Sequence, residues 1–289
     1  MKRWMTPPPD AAHTDVLLRL TLIELLLRPA GPWGVRALIL ILAGTGLIAI
    51  PVLRAPLTWL VLSLLLGARI VADWPLPDNH IYLLAYWCLG IALVFRFSDS
   101  QKVLATTSRL LIGFAFALAT LWKSVLSSDY LDGRFFRVTL LTDDRFAGAV
   151  MLLTGLSEDQ LQQNRDYLQP LPDGAELLDP PYLAEPRAFR WLAASATYGI
   201  LALEAAIAVL NLLPGADRLQ RARHIPLLAF CLVTYAFAPV AGFGWLLLVM
   251  GLAQCCPEQR VLRLAYILMY FLVLLFSEIP WAALLAQSS

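Results

Sequence analysis

Three ionisable side chains stand in stretches where a charge is expensive. Lys123 lies in ALATLWKSVLSSDYLDG at the end of an apolar run, His80 opens another in PDNHIYLLAYW, and Glu204 sits near the middle of YGILALEAAIAVLN. An ionised carboxylate at membrane depth must be protonated, paired or put to use, so function is the first hypothesis for Glu204. The structural alternative is a hydrogen bond to Arg109, Tyr198 or Asn211. A lysine partly withdrawn from water gives up its proton more readily and can serve as a base near neutral pH. Trp122 beside Lys123 could help to exclude water. The same position also suits a lysine that snorkels, its stem along the helix and its ammonium at the interface. His80 can move protons near neutral pH, with Asn79 and Tyr82 as polar neighbours. Equally, it can be an ordinary helix-start residue behind a cap at Asp78 or Asn79.

Other candidates are weaker. His224 follows three arginines and reads as a solvated turn residue. The stretch TYAFAPVAGFGW puts a proline and two glycines at membrane depth, where the freed backbone must line a cavity or pack against protein. A flat apolar ligand could lie beside Phe243 and Trp245, although close helix packing accounts for the same glycines. Cys88, Cys231, Cys255 and Cys256 show no metal-ligand spacing and read as buried thiols. No GxGxxG, P-loop, HExxH or GxSxG motif occurs, and no metal is expected.

The elements that must position these residues follow from composition. The 289 residues are 59% hydrophobic and 15% charged, where a soluble domain carries about a quarter charged residues. A net charge of +1 without a concentrated basic patch argues against nucleic acid. The start, MKRWMTPPPD, lacks the apolar run of a cleavable signal. Apolar runs over about 36–53, 55–72, 80–95, 104–126, 190–213, 225–254 and 262–284 predict an all-α, polytopic transmembrane helical bundle of about seven or eight spans. The 225–254 run is broken at Pro239 and its glycines into two short helices or one interrupted helix. Residues 15–28 carry Arg19 and Glu24 in a short leucine-rich stretch, which predicts an interfacial helix.

Four regions result: a tail and interfacial helix over 1–35, a first helix group over 36–127, an extramembrane segment over 128–189, and a second helix group over 190–289. The third holds eleven carboxylates against five arginines, and its five prolines predict an irregular second half. Basic short turns at Arg54, at Arg96 with Lys102, at Arg218 to Arg223, and at Arg260 with Arg263 fall on one face and predict the cytoplasmic side. The acidic segment then faces outward. Lys2, Arg3, Arg19 and Arg28 fit that scheme only if 15–34 crosses the membrane.

The two spans hinged at Arg54, followed by DNHIYLLAYW and LWKSVLSSDYLDG, resemble the HTTM family, the membrane domain type of the vitamin K-dependent γ-glutamyl carboxylases. The similarity covers roughly residues 36–135. It implies a membrane-embedded site where a lysine deprotonates a reduced, vitamin K-like quinone whose oxygenation generates a strong base for carboxylation. Lys123 matches that lysine and His80 matches a histidine that assists it. The expected catalytic pair is therefore Lys123 and His80, with Trp122, Asn79, Tyr82, Asp129 and Glu204 contacting substrate. Three departures from the family are expected: two extra residues separate the lysine from the aspartate of DYLDG, the family's first span is reduced to the 15–28 helix, and the peptide-binding region of the animal carboxylase has no expected counterpart after residue 284. A glutamate-rich peptide is not the expected substrate, since the acidic segment would repel it.

The expected partners are the lipid bilayer, a hydrophobic quinone and possible membrane protein partners, with no nucleic acid. The expected setting is a bacterial inner (plasma) membrane. Two other readings stay open: a non-catalytic scaffold or assembly partner, and a small-solute carrier, for which no internal inverted repeat is found.

Overall fold

The computed structural model describes residues 11–28, 31–75, 79–95, 97, 99–169, 182–213, 221–237 and 242–278. Among these, every regular element is helical. The N-terminal half contributes α1 (Ala11–Leu27), α2 (Trp33–Ile48), the short α3 (Ile50–Leu53), α4 (Pro56–Ala72), α5 (Asn79–Val94) and α6 (Ser100–Leu121). The acidic segment forms α7 (Ser128–Leu131), α8 (Arg134–Thr142), α9 (Asp144–Thr154) and α10 (Glu158–Tyr167). The remainder holds α11 (Arg187–Leu212), α12 (His224–Phe237), α13 (Phe243–Ala253) and α14 (Arg260–Glu278).

Two of the described helices are long and apolar enough to cross a membrane: Ser100–Leu126, which is α6 with the turn that continues it, and α11. They pack on each other, and α4 packs on α5 in the same way. The buried face of α6 runs through Leu104, Ser108, Ile112 and Phe116, a spacing of four residues that keeps one stripe inward. On α11 the matching stripe is Phe189, Ala193, Thr197, Glu204, Ala208 and Asn211. Glu204 thus lies on the inward face by helical period alone.

Residues 15–28 depart from the sequence expectation. An interfacial helix keeps a polar face open, whereas Leu17, Leu18, Leu22, Leu25 and also Glu24 of α1 are buried, packed against α2 and α13. Tyr270 of α14 donates its hydroxyl to the Leu20 carbonyl at 2.8 Å. Arg54 Nε and Nη2 both donate to the Asp15 carboxylate at 2.8 Å, fixing the start of α1 beside the turn into α4. Leucine on nearly every side suits a helix surrounded by protein, which the reading weighted by Arg19 and Glu24 overlooked.

The broken 225–254 run is two helices, α12 and α13, and Gly242 with φ +91° stands immediately before α13. That left-handed backbone is one that glycine adopts freely. Pro239 lies outside the described residues. In the acidic segment, α7 to α10 build their own apolar cluster from Tyr130, Phe136, Leu140, Leu141 and Val150, closed by Phe189 and Ala193 of α11. The expectation of an irregular second half falls largely on 170–181, outside the described residues.

Candidate functional site

Where α6 ends, the backbone widens by one residue per turn. Trp122–Leu126 form a π turn, with Ser127 N donating to Trp122 O at 3.0 Å across five residues. Such turns are rare and redirect the side chains they contain. Lys123 lies in this one, and its Nζ meets Glu204 Oε1 of α11 at 2.5 Å. The lysine side chain is 24% exposed and the glutamate 6%. The Tyr130 ring of α7 sits 5.2 Å from the ammonium, within reach of a cation–π attraction.

Glu204 therefore takes neither Arg109, Tyr198 nor Asn211 as its partner. Arg109 donates to the Leu213 carbonyl, Tyr198 to Leu131 and Asn211 to Ile207. Lys123 is ion-paired inside the bundle rather than reaching for water.

Glu204 Oε2 is buried and has no hydrogen-bond partner among the described residues, and the same holds for Tyr130 Oη and for Thr120 Oγ1, one turn before Lys123. Such atoms are costly. Burial, and then the Glu204 carboxylate, push the Tyr130 phenol well above its ordinary pKa. It therefore stays a neutral donor.

His80 is half-buried and stacks on Phe243 with ring centroids 4.4 Å apart. Phe116 of α6 lies 6.2 Å from Phe243 and 4.9 Å from Phe230, so α5, α6, α12 and α13 share an aromatic wall. Phe116 precedes Lys123 by two helical turns, a rise of about 10 Å on nearly the same face. The wall and the ion pair thus follow one another along a single stripe of α6.

The other expected residues divide. Tyr82 is half-buried on α5, and Asn79 starts that helix, its side chain outside the described ones. Trp122 is 62% exposed, on the outer side of α6, which fits an aromatic ring at a membrane interface better than a water-excluding role. Asp129 is 65% exposed and paired with Arg134 at 2.8 Å, away from the ammonium. Its neighbour Tyr130 takes the place beside Lys123, its ring facing the ammonium.

His224 is a correction. Rather than a solvated residue, it is buried at 2% exposure with Nδ1 2.8 Å from Tyr266 Oη of α14. A polar residue opening an apolar helix suggests a place in water, but a tyrosine forty-two positions on supplies its partner instead.

No group of three or more histidine, cysteine or acidic side chains capable of holding a metal occurs among the described residues. The residue types present, aromatic rings on four helices and the oxygens Glu204 Oε2 and Tyr130 Oη, are of the kinds that stack on and hydrogen-bond to a hydroxylated ring. Comparison with protein-family models, with curated proteins and with solved structures finds no match.

Proposed function

We propose that this chain is a polytopic HTTM-type membrane protein of a bacterial inner membrane whose Lys123–Glu204 pair takes a proton from a lipid-soluble hydroquinone. One observation carries the reading. A buried carboxylate is paired at one oxygen with an ammonium while its other oxygen has no partner among the described residues.

The chemistry divides between the residues. Glu204 Oε2 accepts a hydroxyl proton, forming a carboxylic acid as the donor's O–H bond breaks and its electron pair stays on the donor oxygen. Lys123 holds Oε1 and offsets the carboxylate charge, so the pair is neutral before transfer and carries one positive charge after it. That charge lies next to the new anion, where low dielectric makes the attraction strong. The Tyr130 ring, 5.2 Å from the ammonium, helps to hold that charge in place. His80, held by Phe243, forms part of the wall against which a ring can stack. A reduced quinone, when bound, supplies the acidic hydroxyl and the two electrons that make later oxidation possible.

The membrane arrangement rests on the same ends of helices. With α1 counted as a crossing, its start joins Arg54, Lys102, Arg223 and Arg260 on one face. The Arg54–Asp15 pair supports this by bringing the start of α1 to the Arg54 turn. Seven crossings and a hairpin of α12 and α13 then leave the acidic segment outward, with Lys123 and His80 near that side.

Replacing Lys123 by alanine in aerated membranes supplied with a hydroquinone, with dioxygen as the electron acceptor, should lower its oxidation by at least about a hundredfold, the scale of a lost proton-transfer group. Unchanged turnover in both Lys123→Ala and Glu204→Gln would overturn the assignment.

A further inference from the structure

A second polar region lies at the opposite end of α6. Arg109 precedes Lys123 by fourteen residues, about 21 Å along the axis, so the two regions are separate. Here a cavity of about 520 Å³ opens between α6, α11, the turn into α12 and the end of α13. Among the described residues its charged lining is Lys102, Arg109 and Arg223 against Asp99. Asp99 already accepts from Lys102 N as the cap of α6.

The two arginines are poorly supplied with partners. Arg223 Nε is buried and has no hydrogen-bond partner among the described residues. Arg109 Nη1 donates to the Leu213 carbonyl at a long 3.4 Å, and that is a neutral acceptor. Burial first, and the like charge of Arg109 second, hold the Arg223 guanidinium below its usual value. Apolar surface from Leu210, Leu213 and Ala253 completes the wall.

The geometry points to a phosphate-binding site in this cavity, with the phosphate oxygens bridging Arg109 and Arg223 and Lys102 at the rim. Planar guanidinium forks suit tetrahedral oxyanions because each can make two parallel hydrogen bonds. An anionic phospholipid headgroup and a free phosphate share this chemistry. The apolar wall, and the basic face on which the cavity lies, favour the headgroup.

Thermal unfolding of the purified full chain in uncharged detergent, titrated with inorganic phosphate at constant ionic strength, tests the free anion. Native mass spectrometry from nanodiscs of phosphatidylcholine, with and without phosphatidylglycerol, tests the headgroup. A saturable rise in Tm with phosphate identifies a soluble ligand, and selective retention of phosphatidylglycerol identifies a lipid. In either case Arg109→Gln and Arg223→Gln should each weaken binding about tenfold, the value of one charge-assisted contact. Arg36→Gln, on an exposed position of α2, should leave it intact. If the arginine variants do not fold, the exposed Lys102→Gln keeps the comparison decisive through a smaller loss. Absence of both effects, or equal effects in the variants, overturns the proposal.

Discussion

An ammonium and a carboxylate 2.5 Å apart and mostly out of water are held together partly because neither tolerates being left alone. Removing one partner of such a pair leaves an uncompensated charge, whereas replacing both by apolar groups of similar size can be nearly neutral. Glu204→Gln and Lys123→Met should each destabilise the protein by about 3 kcal/mol. The Lys123→Met, Glu204→Leu double variant should recover most of that loss without recovering hydroquinone oxidation. Chemical unfolding in detergent, read alongside turnover, checks both halves. Lys123 and Glu204 were each legible in the sequence because a charge within an apolar run is conspicuous. Their pairing was not, since 81 positions separate them and only the packing of α6 on α11 joins them. Tyr130 and the burial of His224 were illegible for the same reason: each depends on a neighbour brought in by the fold.

Helices were the most readable elements, because long apolar runs between basic turns leave few alternatives. What stayed hidden was how the elements fit. Gly251 on α13 faces the Tyr266 ring so closely that a Cβ would overlap it, and Gly244 stands in the same relation to Tyr235, whose hydroxyl accepts from Gly244 N. These glycines therefore serve close packing of α13 against α12 and α14. Gly251→Ala should cost about 2 kcal/mol through overpacking, seen as a lower unfolding midpoint with unchanged helical content by circular dichroism.

In the outer helices, Asp143 accepts from Arg145 N at 3.0 Å as the cap of α9, and the Arg145 side chain holds its carboxyl below the usual carboxylate range. A depressed carboxyl contributes stability above its unfolded pKa of about 3.9 and loses it as pH falls through the folded value. The protection of amides in the first turn of α9, relative to their intrinsic exchange rate, should therefore fall upon acidification below about pH 4, and Asp143→Ala should already lower it at neutral pH, at a cost of about 1 kcal/mol. Protection unchanged by both would remove the cap from the description.

At the scale of the whole molecule, the two polar regions occupy opposite ends of α6, one beside the acidic helices and the other among the basic turns. Cys256, the exposed thiol among the four, lies on the basic side and serves as a native reporter of orientation. An impermeant maleimide should label it only in inverted membranes, while a cysteine placed at the exposed Gln163 of α10 should react only in right-side-out ones. The reverse pattern would invert the arrangement.

The central chemical step can be watched directly by difference infrared spectroscopy of the reconstituted protein as a hydroquinone is added. Proton transfer to Glu204 should produce a protonated-carboxyl band that Glu204→Gln abolishes and Asp129→Asn leaves in place. No such band in the unaltered protein, or the same band in Glu204→Gln, would contradict the transfer.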